Sequence, residues 1–223
     1  LNEAFTAGLG AEADKKTLNI APSATFLLGS AGEVYTSAAF SNYSGQTGYG
    51  ALLSYTYAER SISGRFSVKG FSRDYANLSI SASQDKPKFE GLIGLGYNQK
   101  SFGSISATLS STGNYTSTDR KRASVFYSRR LKRNVSFYIT ASRTKSDEVV
   151  DEVFAGLNFF FGKNSSGSIN YSAKEGSTKE TASIQQNPPL GTGFGYRLLA
   201  ERTETSQGDK ELGGDAFLQY RGH

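Results

Sequence analysis

The sequence predicts an all-β protein, an antiparallel up-and-down transmembrane β-barrel with about 12–14 strands in this chain. Three observations support this fold class. Apolar and polar residues alternate at a period of two along most of the 223 residues, which is the period of a half-buried strand. Glycine is frequent at 25 residues, proline is rare at 4, and aromatic residues make up 13% of the chain, a composition typical of strands joined by short turns. No stretch combines helix caps with an apolar stripe, so no helix is predicted.

The clearest alternation lies in two consecutive segments, which are predicted to form a hairpin around the acidic loop Asp147–Glu148. Apolar side chains share one face: Val135, Phe137 and Ile139 in the first segment, and Leu157 and Phe159 in the second. The opposite face of the first segment carries hydroxyl groups, on Ser136, Tyr138, Thr140 and Ser142. The turn cluster Gly162–Lys163–Asn164 is predicted to end the second segment.

The same pattern predicts strands along the rest of the chain. Tyr49–Tyr57 and Ile62–Gly70 flank a turn at Glu59–Arg60, and the second of these places Arg65 and Lys69 on a face that must meet water. Ten further segments alternate in the same way: Phe5–Ala13, Leu18–Leu28, Val34–Phe40, Phe89–Tyr97, Ser104–Ser110, Ala123–Arg129, Ser168–Ala173, Ala182–Gln186, Tyr196–Glu201 and Ala216–Tyr220.

The two faces favour a membrane barrel over a soluble β-sandwich. The polar faces carry Ser, Thr, Asn, Arg and Lys throughout, and the apolar faces are diluted with Gly and Ala, whereas a soluble core would need larger inward residues. Hydrophobic content is 37% and no apolar run approaches the roughly 18 residues of a spanning helix. We therefore expect a lumen face with Ser136, Tyr138, Thr140, Ser142, Arg65 and Lys69. The lipid face is expected to carry Val135, Phe137, Ile139, Leu157 and Phe159.

The residues that carry most enzyme chemistry are missing or badly placed. There is no Cys, and the single histidine is the last residue, His223, so no catalytic residue, metal ligand or cofactor-binding residue is predicted, and no enzyme activity is expected. The carboxylates at residues 147–152 indicate a solvated loop rather than an acid/base pair. The basic runs at residues 120–122 and 129–133 flank one predicted strand, which indicates solvated rims able to contact lipopolysaccharide phosphates rather than a nucleic-acid site.

One glycine-rich segment lacks the spacing of a nucleotide-binding loop but matches a known element. Its residues Pro188, Pro189, Gly191, Gly193, Gly195, Tyr196 and Arg197 resemble the Pro-Pro, Gly-x-Gly-aromatic-Gly-Tyr-Arg element of the barrels of fimbrial chaperone–usher outer-membrane usher proteins. The segments Leu1–Thr6, Phe71–Leu78, Ser124–Leu131, Val135–Arg143 and Val153–Phe159 are similar to other usher segments.

The resemblance implies a pore in the bacterial outer membrane that receives complexes of periplasmic chaperone and pilus subunit and passes the subunits to the cell surface without nucleotide hydrolysis. It also implies contact with outer-membrane lipid and lipopolysaccharide. A complete usher has about twice this strand number, a plug and periplasmic domains. None of these extra domains is visible, so residues 1–223 are expected to be barrel region, as part of a larger barrel or as a smaller closed one. The alternatives are a self-contained porin-like barrel for small solutes and a soluble β-rich adhesin module.

Overall fold

The computed structural model describes residues 4–81, 85–162 and 164–222. Fourteen strands make up most of these residues: β1 Phe5–Ala13, β2 Thr17–Leu27, β3 Glu33–Tyr43, β4 Gln46–Ala58, β5 Ile62–Phe71, β6 Pro87–Gln99, β7 Gly103–Asn114, β8 Arg120–Lys132, β9 Val135–Lys145, β10 Val149–Phe160, β11 Ser165–Lys174, β12 Ser177–Gln186, β13 Gly193–Thr205 and β14 Lys210–Arg221. A single turn of 3₁₀ helix, Gly29–Ala31, follows β2. No helix in the described part of the chain is long and apolar enough to cross a membrane.

The strands form one antiparallel sheet in which the order of the strands is the order of the chain, from β1 at one edge to β14 at the other. The predicted fold class, an all-β up-and-down meander, is therefore confirmed, with 14 strands. Each predicted segment corresponds to one of these strands, and Asp147–Glu148 connects β9 to β10 as predicted. Leu1, Asn2, Glu3, Lys163 and His223 lie outside the described residues.

Several strands are longer than their apolar alternation indicates. β8, for example, runs from Arg120 to Lys132, beyond the predicted Ala123–Arg129 at both ends. Backbone groups pair with a neighbouring strand whatever the polarity of the side chain, so pairing continues into charged residues. Short turns close the hairpins. Ser44 and Gly45 join β3 to β4 with φ of 49° and 88°, the left-handed conformation that a two-residue hairpin turn requires.

The chain divides into two compact units. The first unit comprises residues 1–98, 106–123 and 144–149, and the second comprises residues 99–105, 124–143 and 150–223. Neither unit contains a conventional core. In the described residues the buried hydrophobic side chains are Tyr75 and Ala76, whereas Leu9 and Tyr49 are 74% and 65% exposed. Exposed apolar surface on this scale indicates a face that meets another apolar phase.

Candidate functional site

The register of the first unit separates an apolar face from a polar face. Directly paired residues on neighbouring strands point to the same side of a sheet. The pairs Leu9–Pro22, Ala38–Ala51, Ala51–Gly70 and Gly70–Phe89 belong to one side. Every second residue along a strand points to the same side. That side therefore carries a set of exposed apolar residues: Leu9, Ile20, Phe40, Tyr49, Leu53, Phe66, Val68, Ile93 and Leu95.

The opposite side of the first unit is polar. The pairs Glu12–Asn19, Asn19–Ser41 and Ser41–Gly48 lie on it, as do the pairs Arg65–Thr56 and Lys69–Glu90. Lys69 Nζ forms an ion pair with Glu90 Oε2 at 2.7 Å. The side chain of Arg65 lies over Gly94, where an added Cβ would be 2.9 Å from Arg65 Nε. Both predicted cations of β5 are therefore on the polar face.

The second unit repeats this division. Leu157, Ile169, Ala182 and Ala200 form one row of paired residues on its apolar face, and Phe159 lies one step further along β10 on the same face. Small residues in the middle of this face leave a groove of about 540 Å³, lined mainly by Phe159, Phe161, Gly167, Ile169, Ala182, Ile184, Leu198 and Ala200.

The polar face of the second unit carries a network of hydroxyl and amide groups. The Oγ atoms of Ser168 and Ser183 are 2.9 Å apart. Asn170 donates through its Nδ2 to Ser168 and to Thr181, and Tyr138 Oη donates to Asn170 Oδ1 at 2.5 Å. Because these groups satisfy one another's hydrogen-bonding capacity, the members of this network offer few unpaired donors.

The predicted faces of β9 can be assigned from these contacts. Tyr138 and Ser142 both reach polar-face residues, since Ser142 Oγ donates to Glu152 Oε2 at 3.4 Å. Ser136 and Thr140 alternate in phase with them along β9. Val135, Phe137 and Ile139 have the opposite phase, and the Phe137 ring lies 6.5 Å from that of Tyr127. The six residues predicted for the lumen thus share a polar face within their unit, and the five predicted for lipid share an apolar face.

Ion pairs add balanced charge to the sheet. On the polar face Lys179 Nζ pairs with Glu201 Oε2 at 2.8 Å, and Lys174 Nζ pairs with Glu152 Oε1 at 3.6 Å. All of these side chains are partly exposed, so each pair contributes at most about 1 kcal/mol to stability. Each pair neutralises one positive and one negative charge on this face.

Between β5 and β6, residues 72–81 and 85–86 fold over the polar face of the first unit, and we call these residues the covering segment. It contains the buried side chains of Tyr75 (4% exposed) and Ala76 (0% exposed). The backbone of Tyr75 lies directly on Gly48, where a Cβ would overlap Tyr75 Cα and N and would be 2.6 Å from Asp74 C. Gly48 is therefore required for the close approach of the segment to the sheet.

Hydrogen bonds fix the covering segment in place. Ala76 N donates to Ser41 Oγ at 3.1 Å, and Leu78 N donates to Glu12 Oε2 at 3.3 Å. Lys86, only 4% exposed, donates through Nζ to the carbonyl oxygens of Arg73 at 2.8 Å and Tyr75 at 2.7 Å. Burial lowers the pKa of the Lys86 ammonium, and the nearby Asp74 opposes this effect.

The covering segment is also joined to the next loop at the same end of the strands. Tyr115 Oη donates to Phe71 O at 2.8 Å. Hydrogen bonds from Thr116 and Ser117 to the Asp85 carboxylate hold its pKa below the usual value. Sequence reasoning missed this assembly. Its one signal was the lack of any alternation over residues 72–86, which identifies a connection but not the surface on which it folds.

The segment that resembles the usher motif forms a loop that packs on the polar face of the second unit. The loop lies between β12 and β13. Its prolines stack on glycines of β13: an added Cβ at Gly195 would be 2.5 Å from Pro188 Cδ, and one at Gly193 would be 2.5 Å from Pro189 Cγ. These glycines permit close packing of the loop on the polar face. Gly191 has no neighbouring atom within 4 Å of such a Cβ.

Beside this loop is a cavity of about 400 Å³. Its lining includes Tyr196 and Arg197 of the motif, together with Gln185, Asp215 and Gln219. Arg221 donates through Nη1 to the carbonyl oxygen of Pro189 at 3.4 Å, which fixes the loop to β14. The cavity is polar and open, and nothing in it combines a nucleophile with a base.

The acidic loop has structural partners. Asp147 accepts a hydrogen bond from Thr118 Oγ1 at 2.6 Å, and Asp151 forms a bidentate pair with Arg143 at 2.6 and 2.7 Å. Among the described residues, no cluster of three carboxylate or histidine side chains could hold a metal ion.

These features together define a meander of 14 antiparallel strands with one apolar and one polar face, the strand arrangement of up-and-down β-barrels. The chain is similar over 99% of its length to the translocation pore of the P pilus usher PapC, with 17% sequence identity and a TM-score of 0.64. It spans 49% of that usher chain.

A bacterial polysaccharide outer-membrane secretin has a similar fold, with 7% identity, a TM-score of 0.56, and coverage of 97% of this chain and 84% of the secretin chain. No protein-family model and no curated protein sequence matches the chain. The resemblance to the usher barrel inferred from the sequence is confirmed at the level of the fold.

Proposed function

We propose that the chain is part of an outer-membrane usher pore, located in the bacterial outer membrane, that passes chaperone-delivered pilus subunits to the cell surface during fimbria assembly. In this proposal residues 1–223 are barrel region, the pore performs no covalent chemistry, and its partners are complexes of periplasmic chaperone and pilus subunit. The observation that carries the proposal is the fold match to the PapC translocation pore along 99% of the chain.

The greater length of the PapC chain supports the proposal that this chain forms only part of a barrel. The chain spans 49% of PapC, and β1 and β14 are both edge strands of the sheet. An edge strand in lipid would leave backbone donors and acceptors without partners, at a cost of several kcal/mol for each group. We therefore propose that further strands pair with β1 and β14 in the assembled pore.

The chemistry of the polar face suits the passage of a folded protein. A translocating subunit should slide without adhering, and a wall of mutually bonded Ser, Thr and Asn side chains with paired charges offers weak contacts to any surface. We propose that the polar face, including Ser136, Thr140 and Arg65, lines the lumen. The apolar face, including Phe137 and Leu157, then meets lipid, and the groove between β10 and β13 accommodates lipid chains.

A crosslinking experiment tests the proposal. The sequence has no cysteine, so Ser183→Cys on the polar face and its neighbour Ala182→Cys on the apolar face introduce single thiols of similar size on β12. The full chain is expressed in cells that assemble the pilus, with a single cysteine on the exposed surface of a subunit. We expect disulfide crosslinks to the subunit from Ser183→Cys and not from Ala182→Cys. Crosslinks from neither site, or equally from both, would contradict the proposal.

A second candidate, a self-contained channel, is favoured by the secretin neighbour, because the chain covers 84% of that protein. In this reading β1 and β14 would pair with each other and the pore would pass small solutes or a polysaccharide. Liposomes containing the purified chain alone would then admit sugars and swell, whereas a partial barrel would leave them tight. A chain that stays monodisperse in buffer without detergent would instead favour the soluble adhesin reading and defeat both membrane proposals.

A further inference from the structure

Basic residues are concentrated at one end of β8, in the second unit. Five exposed cations lie there, on the end of β8, the turn to β9 and the turn before β7: Lys100, Arg129, Arg130, Lys132 and Arg133. We call this group the basic end. Within the described residues no carboxylate forms an ion pair with any of the five. By contrast, the opposite ends of β9 and β11–β14 carry ion-paired cations: Arg143, Lys174, Lys179, Arg202 and Lys210.

Contacts within the second unit bring the two parts of the basic end together. Tyr127 Oη donates to Phe102 O at 2.7 Å, and the two rings are 5.3 Å apart. An added Cβ at Gly103 would overlap Ser128 O and would be 3.1 Å from Arg129 Cβ. The turn that carries Lys100 therefore lies directly beside Arg129.

The basic end adjoins the apolar face. Arg129 alternates in phase with Tyr127, whose ring contacts Phe137 of the apolar face, and the next residue in this phase, Leu131, is 53% exposed. Aromatic rings followed by cations at a strand end are typical of the membrane–water interface, where the hydrocarbon core of the bilayer meets the lipid headgroups. At this depth the anions available are lipid phosphates, which arginine binds bidentately.

We propose that the basic end is a binding site for the phosphate groups of membrane lipids. This inference rests on the proposed function only in that the apolar face must meet lipid. Unpaired cations beside exposed aromatic and aliphatic side chains favour an amphipathic phosphate ligand over a free anion or a nucleic acid, which would gain nothing from the apolar surface.

The test compares two triple variants of the full chain that remove equal charge from the two ends of β8. One is Arg129→Ser, Arg130→Ser and Arg133→Ser, and its matched control is Arg120→Ser, Lys121→Ser and Arg122→Ser. Binding of fluorescent phosphatidylglycerol is measured in neutral detergent micelles by anisotropy, with phosphatidylcholine as the reference lipid. We expect the first variant to weaken phosphatidylglycerol binding about tenfold or more and the control to change it less than about twofold. A variant with lysine at the three arginine positions should retain most of the binding.

Equal losses in the two triple variants, or no preference for phosphatidylglycerol in the unaltered chain, would overturn the inference. Displacement of the lipid by equimolar inorganic phosphate or by RNA would overturn it too, because the site would then bind free anions. If a triple variant fails to fold, Arg133→Ser alone, in the turn, replaces it and should weaken binding measurably. A chain that binds phosphatidylglycerol through the basic end but does not crosslink to pilus subunits would leave this inference standing and refute the proposed function.

Discussion

Gly48→Ala should release the covering segment while leaving the sheet intact. The added methyl group would overlap the backbone of Tyr75, which cannot move without lifting the segment. Overpacking of this kind costs about 1–3 kcal/mol. The segment is held by the hydrogen bond from Ala76 N to Ser41 and by the two bonds from Lys86, so the cost falls on the contact between segment and sheet. At about 2 kcal/mol, the open population rises about thirtyfold.

Hydrogen exchange of the amides of residues 72–81, followed by mass spectrometry, measures this release. The expected result is about thirtyfold faster exchange in the segment, with unchanged protection in β3 and β4. Gly10→Ala is the matched control, because it lies on the same face and its Cβ would have no atom nearer than 3.7 Å. Unchanged exchange in the segment would refute the role of Gly48, and equal loss of protection in β3 and β4 would show that the sheet yields instead.

Three further predictions concern other parts of the chain. Phe137→Arg should destabilise the membrane-assembled protein by about 2–4 kcal/mol at mid-membrane, whereas Ser136→Arg should be tolerated. Heat-modifiable migration in gels compares the two variants, and equal tolerance would contradict the assigned faces. Gly195→Ala should displace the proline loop and raise its protease sensitivity, and Gly191→Ala should not; similar digestion of both would refute the packing role. The Asp85 carboxyl should titrate below its usual pKa of 3.8, as measured by NMR. The hydrogen bonds between Asp85 and the next loop should therefore persist above pH 3.8 and be lost as the pH falls through the lowered pKa of Asp85. A titration midpoint at or above 3.8 would exclude these hydrogen bonds.

The strand pattern could be predicted because alternation is local. The boundaries of β1, Phe5–Ala13, follow directly from its small and apolar residues and the polar turn after them. The face assignments of Phe137 and Tyr138 needed only the pleat of a strand, since adjacent side chains point to opposite sides.

The packing of the covering segment on the polar face could not be predicted, because it depends on contacts between residues far apart in the sequence. Gly48 interrupts the apolar–polar alternation of β4, and glycine is a weak strand former. No residue near Gly48 in the sequence indicates that the backbone of Tyr75 fills the space above it. The burial of Lys86 is equally hidden, since a lysine between an aspartate and a proline is typical of a solvated turn.

The central claim is that the sheet meets lipid on one face and water on the other. A cysteine scan along the central part of β12, from Thr181 to Gln185, tests it directly in membranes, because the chain has no cysteine of its own. A water-soluble, membrane-impermeant maleimide should label the odd positions, such as Thr181 and Ser183. The even positions, such as Ala182 and Ile184, should react only with a lipid-soluble maleimide. Labelling without this alternation would contradict the account.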